Sequence, residues 1–346
     1  MNFLEIFEEL ENERSTGPDD RVLIIDGLNT FVRVFATMPS LSDSGEHVGG
    51  ILGTLRSIGS NIRDFNPTRC IIVFDGKGGS LRRRKLFPDY KQNRTSGGTG
   101  LRSDLFENIE EEKQSMRKQM NRVVEYFGHL PVQMLSIDNI EADDTIAYLA
   151  MQYFKNKSSK IRIVSTDRDF LQLVCENIEI YSPVKKKLYN VDSLTEEFEL
   201  HHNNYLVYRA LTGDLSDNIP GIKGVGLKTL LKEFPELKDT EINLEYIIEK
   251  SNLVIKSEKR PKKFYQSIHE SSDELYRNYK LMQLHDVDIS LESKQRIIST
   301  IEQNITKIDR YRIKNMISED YLQKSFSNLD QWIDMTFYGL NVWSNK

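Results

Sequence analysis

Only two cysteines, Cys70 and Cys175, occur in 346 residues. No disulfide framework can be built from them. Both fall in apolar stretches and read as buried free thiols of a reducing cytosol. Long hydrophobic runs are also missing: none approaches the ~20 residues needed to cross a bilayer. Charge of one sign is not in strong excess. The 47 basic and 52 acidic residues leave a net −5, and charged residues make up 29% of the chain. That mixture excludes a disordered chain and does not by itself advertise nucleic-acid binding. The acidic start, with Glu5, Glu8 and Glu9, is the opposite of a signal peptide. Histidine and cysteine form no cluster, which sets zinc aside. Repeats and low-complexity domains are absent. The expectation is a soluble cytoplasmic protein, long enough for one large domain or two ordinary ones.

What the chain does have is carboxylates in telling places. The stretch Ile140-Glu141-Ala142-Asp143-Asp144-Thr145 sets three acids within four residues, at the start of an apolar helix continued by Tyr148, Leu149, Met151 and Tyr153. Glu141 and Asp144 are three apart and share a face. One or two acids would serve as a charged helix cap. Three crowd like charge, which costs stability unless a cation sits among them. On this stretch alone, capping and metal binding weigh equally.

Two apolar runs, Arg21-Val22-Leu23-Ile24-Ile25-Asp26 and Cys70-Ile71-Ile72-Val73-Phe74-Asp75, each end in an acid followed by glycine. They read as buried parallel strands. Residues 130–137 predict a third strand, and residues 161–169 a fourth that ends in Asp167 and Asp169. Residues 178–184 predict a fifth, in a hairpin with 185–189. Helices are predicted at the N-terminus (Phe3, Ile6, Phe7, Leu10) and over 48–65. A long amphipathic helix is predicted from Leu101 through Met116 and Val123 to Phe127. Strands alternating with helices give an α/β fold with a mainly parallel central sheet and flanking helices. Ligands of such folds bind outside the carboxyl ends of the strands, where Asp26, Asp75, Asp167 and Asp169 would stand together.

Between residues 77 and 94 the chain is basic: Lys77, Arg82, Arg83, Arg84, Lys85, Lys91 and Arg94, with Phe87 and Tyr90 among them. A basic, aromatic-bearing segment beside an acid-edged sheet fits a backbone-tracking channel better than a solvated face. Beyond residue 190 helices take over. Thr212-Gly213-Asp214-Leu215-Ser216-Asp217 and the glycines 221, 224 and 226 link two of them in a helix–hairpin–helix pattern, whose turn amides can face a phosphate. Gly221-x₄-Gly226 nearly spells a P-loop, but Leu227 breaks the Gly-Lys spacing and no strand precedes it. His201 and His202 read as surface positions in a polar helix. Lys256, Lys259, Arg260, Lys262 and Lys263 make a second basic patch.

The acids Asp26, Asp75, Glu141, Asp143, Asp144, Asp167, Asp169, Asp214 and Asp217 are hard oxygen donors that select Mg²⁺ or Mn²⁺. They outnumber the needs of one ion and suggest a two-metal site of the kind that splits phosphodiesters.

Asp26-Gly27-Leu28-Asn29, the Asp75 strand end, Glu141-Ala142-Asp143-Asp144, Ser165-Thr166-Asp167-Arg168-Asp169 and the Gly213–Gly226 segment occur in that order. Together they resemble the 5′ nuclease family, which comprises 5′–3′ exonuclease domains of bacterial DNA polymerase I, flap endonucleases and phage 5′ exonucleases. Residues 83–94 look like the family's helical arch, and residues 279–289 resemble a segment that follows the hairpin. The resemblance spans about residues 21–290. Lacking a polymerase domain, the chain resembles the stand-alone phage enzymes, such as the RNase H of T-even phages.

The resemblance implies a nuclease core with its arch over residues 1–190, the arch itself at 77–125, and a helical DNA-binding region over 191–346 with the hairpin module at about 205–234. Asp26, Asp75, Glu141 and Asp143 would hold one Mg²⁺. Asp144, Asp167, Asp169 and Asp217 would hold or support a second, with Asp214 contributing. Arg83, Lys91 and Arg94 would contact the scissile phosphate or the threaded strand, and Arg82, Arg84 and Lys85 the nucleic acid nearby. Gly221, Lys223, Gly224, Gly226 and Lys228 would grip duplex backbone, in the family with a bound K⁺. Implied substrates are 5′ flaps, nicks and RNA primers paired to DNA. The chain is expected to be monomeric, in a bacterial host if phage-encoded, with a sliding clamp and single-strand-binding protein as further partners. Residues 95–119 are long for the bacterial pattern, and about the last 50 residues lie outside the resemblance. There, Ile333, Phe337 and Tyr338 faintly resemble a clamp-binding peptide, with ordinary amphipathic packing the stronger reading.

Three rivals are weaker. An aspartyl phosphohydrolase wants Asp-x-Asp on the first strand, where this chain has Ile24. A catalytically dead DNA-binding relative should have lost acids, and none is missing. A PIN-type RNase shares the acid-edged sheet but normally lacks the hairpin and basic arch.

Overall fold

The computed structural model describes residues 17–92 and 105–344. The N-terminal helix expected from Phe3 to Leu10, Arg94, and the stretch 95–100 lie outside the described residues. The first strand, β1 (Arg21–Asp26), leads into α1 (Gly27–Thr37) and α2 (Gly49–Phe65). Next come β2 (Arg69–Phe74), the short basic helix α3 (Leu81–Leu86) and α4 (Ile109–Phe127). β3 (Gln133–Ser136), the acidic helix α5 (Ala142–Tyr148), β4 (Lys160–Val164), β5 (Ile178–Ser182) and β6 (Lys187–Tyr189) complete the sheet region.

The sheet runs β3-β2-β1-β4-β5-β6, parallel except for the β5–β6 hairpin. The chain builds outward from β1 on one side through β2 and β3, then crosses back to place β4 on the other. This switch point opens a crevice at the carboxyl ends of β1 and β4. β1 is buried on both faces, which explains its unbroken apolar run. Val22 and Ile24 pack into one cluster with α5 and β4, while Leu23 and Ile25 pack into another with α1, α2 and α4. Cys70 is buried as expected, but Cys175 is half-buried beside Asn177. Its thiol sits just beyond the core, where the chain turns into β5.

Helices follow: α6 (Val191–Phe198), α7 (Tyr205–Thr212), α8 (Leu227–Glu233), α9 (Leu244–Ser257), α10 (Lys263–Glu270) and α11 (Ser272–Met282). α7 to α11 surround their own cluster, with Leu211, Leu230, Phe234, Ile247 and Ile268 at its centre. The link between α7 and α8 contains a miniature antiparallel pair, Gly213–Asp214 with Ile219–Pro220. Gly213 adopts φ +72 there, and a Cβ at Gly221 would meet the Thr212 carbonyl oxygen at 2.1 Å, so both positions demand glycine. His201 and His202 open a single 3₁₀ turn rather than lying in a polar helix.

The last helices are α12 (Leu291–Ile301), α13 (Arg310–Glu319) and α14 (Leu329–Trp343). They return to the sheet. Ile297 and Ile301 join one α/β cluster; Ile313, Met316, Ile333 and Phe337 join the other. A division at residue 190 therefore assigns residues 284–343 to the helical region although they pack on the sheet layers. Ile333 and Phe337 are each 1% exposed and pack inward, as amphipathic periodicity suggests, while Tyr338 is 71% exposed. Among the described residues no helix is long and apolar enough to cross a membrane.

Candidate metal and nucleic-acid site

Each carboxylate on the sheet edge is anchored before any ligand is considered. Asp26 ends β1 and caps α1, accepting from the Asn29 amide at 3.0 Å and from the Ser165 hydroxyl at 3.1 Å. The Asn29 side chain bonds Thr166 in turn, which ties the start of α1 to the end of β4. Asp75, one residue past β2, accepts from the Ala142 amide at 2.8 Å and so caps the acidic helix from across the edge. Asp167 caps the 3₁₀ turn Arg168–Leu173 through the Asp169 amide at 2.8 Å. Bland capping and convergence are both realised: the caps fix where the carboxylates point.

Their charges are in conflict. Burial pushes the Asp26 carboxyl up to about 6, with the Asn29 and Ser165 hydrogen bonds only partly opposing it and Asp75 adding to the rise. Burial, then the neighbouring Asp169 carboxylate, lifts Asp167 to about 7. Asp143 is raised well above the carboxylate range by burial and by Asp167. Like charges that cannot all ionise together are the mark of a site short of cations. In the side-chain positions seen, no three described carboxylates close into one coordination shell. Basic side chains explain part of this.

Those basic groups come from the arch base and from α7. Arg83 is buried, donating to Glu141, to both oxygens of Asp144 and to the Leu281 carbonyl. Arg82 also reaches both oxygens of Asp144, at 3.0 and 3.1 Å. Asp144 is thus paired with two arginines, as Glu141 is with Arg83 and Lys91. Lys91 sets its ammonium 2.6 Å from Glu141 and 3.9 Å from Asp217. Burial opposes its charge, but Asp143, Glu141 and Asp217 hold it protonated above its usual range. For Glu141, burial is outweighed by Arg83 and Lys91, which keep its carboxyl low. Arg84 and Lys85 are exposed.

The hairpin reaches the same place. The Lys91 amide donates to the Asp217 carbonyl, and Asn218 donates to the Asp89 carbonyl, so the arch base is docked on the hairpin. Tyr90, buried against Leu206 and Ile219, fills the joint. Arg209 was not anticipated from the sequence. It bridges Asp169 at 2.9 Å and Asp214 at 2.5 Å. Its only sequence signal is a cation one helical turn before the hairpin. Asp214 is thereby a partner of Arg209 and of the Ser216 amide and hydroxyl, and faces the acid cluster through them. Lys223 and Lys228 are exposed at the hairpin, as are Lys256, Lys259, Arg260, Lys262 and Lys263 beyond it.

Residues 21–199 match the N-terminal resolvase-like domain of 5′–3′ exonucleases, and residues 200–305 match the C-terminal SAM fold of the same enzymes. The chain belongs to the 5′–3′ exonuclease family. The 5′–3′ exonuclease of Aquifex aeolicus is 29% identical over 300 residues, covering 86% of this chain and 93% of that protein. The flap endonuclease Xni of Shewanella frigidimarina is 30% identical over 287 residues, 82% of this chain and 99% of the relative. In fold, the chain is similar to the bacteriophage T5 flap endonuclease solved in a product complex with DNA and metal ions. That likeness has a TM-score of 0.60 at 21% identity and covers 87% of this chain and 99% of the phage protein.

The family's structural neighbours include proteins crystallised with divalent metal ions. The residues here fit such a group. The donors are carboxylates only, and Asp26, Asp143 and Asp167 each carry a pKa raised by burial and by neighbouring carboxylates, the electrostatic demand a divalent cation satisfies.

Proposed function

We propose that the chain is a structure-specific 5′ to 3′ nuclease acting on 5′ flaps, nicks or RNA primers paired to DNA during replication or repair. The observation that carries this reading is the convergence of Asp26, Asp143, Asp167 and Asp217 at the sheet's switch point, beneath an arch base that inserts Lys91 among them. Asp26, Asp75, Glu141 and Asp143 would hold one Mg²⁺, and Asp167, Asp169 and Asp217 a second; Mn²⁺ would substitute. Bound there, the ions supply an activated water and stabilisation of the leaving oxygen.

The chain's own groups supply the rest. Lys91 carries a held positive charge at the point where a phosphodiester must enter. Arg209 orients Asp169 and Asp214, and Arg82 and Arg83 lock the arch helix onto α5. Arg84 and Lys85 offer charge to the strand on the outer side of α3. The amides of residues 221–226, with Lys223, Lys228 and a hairpin-bound K⁺, would grip duplex backbone.

The experiment is a 5′-flapped duplex, 3′-labelled on the flap strand, incubated with Mg²⁺ and separately with EDTA. Mg²⁺-dependent cuts at or near the junction support flap cleavage, and stepwise trimming from the 5′ end supports exonucleolytic primer removal. Duplex binding without cleavage in Mg²⁺ would overturn the reading in favour of an inactive DNA-binding protein.

A further inference from the structure

The sheet edge carries a feature that the acid cluster does not use. Next to Asp75 a cleft of about 460 Å³ opens between the carboxyl ends of β2 and β3 and the side of α4. Leu28, Phe74, Met120, Val124 and Met134 line it, and among the described residues Asp75 is the one charged residue on its wall. Its size lies in the range of small-molecule sites. The lining is partly exposed: Leu28 is 38% and Val124 39% accessible, against 0% for the strand residues Val22 to Ile25.

The aromatic wall is held in place from behind. Phe74 lies over Gly27, where a Cβ would come within 2.6 Å of its ring, and tilts against Phe127 with centroids 6.5 Å apart. Glycine directly after Asp26 therefore serves two ends: it lets α1 start close to the sheet, and it leaves room for a ring beside the acids. Two thioethers and two aliphatic chains complete an apolar, adaptable surface with almost no hydrogen-bonding groups.

We propose that this cleft receives one nucleobase of the cleaved strand, from a nucleotide flanking the scissile phosphate. The inference rests on the nuclease reading given above and adds a subsite to it. Asp75 belongs both to the cleft wall and to the acid cluster. A phosphodiester brought to those acids thus carries its neighbouring base to the mouth of the cleft. The lining suits any base, because every base has a flat π-face while the described side chains of the walls offer only the Ser136 hydroxyl and the Asp75 carboxylate for hydrogen bonding. The cleft then holds the strand after it leaves the duplex stack and selects for an unpaired or unpairable end rather than for sequence.

The test is a two-by-two comparison of single-turnover cleavage. One axis is the wild-type protein against the double variant Leu28→Gln, Val124→Gln, both at exposed positions. The other is a flap substrate with intact bases against substrates carrying one abasic nucleotide at successive positions around the junction. Wild type should lose roughly tenfold to a hundredfold at one abasic position, as expected for removing a stacked base. The variant should show the same loss on the intact substrate and little further loss on the abasic one. Thermal melting of the variant keeps a folding defect distinct, and Leu28→Ala with Val124→Ala gives a second, apolar test of the same cleft. Losses that multiply, or no abasic effect at any position, would overturn the proposal. So would a variant slowed equally on all substrates, which would mean that the cleft has a structural role only. Failure of wild type to cut the intact flap in Mg²⁺ would instead overturn the nuclease reading itself.

Discussion

The Lys91 ammonium lies 2.6 Å from one carboxylate oxygen of Glu141, and the Lys91 backbone, at φ +55, is held by the Asp217 carbonyl. A residue in the left-handed region is pinned by its surroundings, so the arch presents this lysine to the acids in a fixed place. Lys91→Ala should reduce cleavage about a hundredfold, the scale for losing one aimed charge-stabilising group, with a much smaller effect on duplex binding. Cleavage rates and binding isotherms on one flap substrate check this. Equal losses would make Lys91 a general backbone contact.

Asp167→Asn should abolish Mg²⁺-dependent cleavage and leave DNA binding largely intact, because it removes a proposed metal donor and no phosphate contact. The Asp169 amide still has an oxygen to bond, so the turn survives. Full activity in the variant would sink the metal assignment.

Arg83→Ala should destabilise the fold by about 1.5–3 kcal/mol, since it removes a buried charged partner from Glu141 and Asp144, which keep Lys91 and Arg82 respectively. Arg84→Ala, at the exposed neighbouring position, should stay within about 0.5 kcal/mol of wild type. Chemical denaturation of the two variants decides the matter. Unchanged stability in Arg83→Ala with lost DNA binding would make it a phosphate contact instead.

Asp26→Asn should stabilise the metal-free protein at neutral pH while removing cleavage. Its folded carboxyl titrates at about 6, above the ordinary 3.8. For a raised acid, stability is fully present below the unfolded value and is lost as pH rises through the folded one. The gain from Asp26→Asn, about 1–3 kcal/mol, should therefore appear above pH 6 and vanish near pH 4. Melting curves in EDTA across that range test it. A gain that is independent of pH would place its origin elsewhere.

Gly226→Ala separates fold from phosphate approach. A Cβ there meets nothing within 4 Å, and its φ of −131 suits any residue. Stability should hold while duplex affinity falls several-fold if the hairpin backbone closes on a phosphate. Unaltered affinity, measured at fixed salt, would leave the turn a structural link only.

The strands, the acid at each strand end and the hairpin glycines were legible because each follows from local rules. Continuous apolar runs mark doubly buried strands, a carboxyl-edge acid marks a switch-point site, and Gly213 and Gly221 mark backbone that no side chain permits. The sequence by itself determined the list of acids and that all are hard oxygen donors. It did not determine which acids remain free. Asp144 looks like its neighbours along the chain, yet α3 comes back over α5 and spends it on Arg82 and Arg83. Arg209 looks like any helix cation until the hairpin folds Asp214 against it and α7 packs it on Asp169. The return of α12 to α14 to the sheet, and the cleft beside Asp75, follow from packing between segments far apart in sequence. Ion pairing and burial depend on distances that only the closed fold sets, so tertiary structure decided which charges are paired, which are buried against like charge, and where the apolar edge stays open.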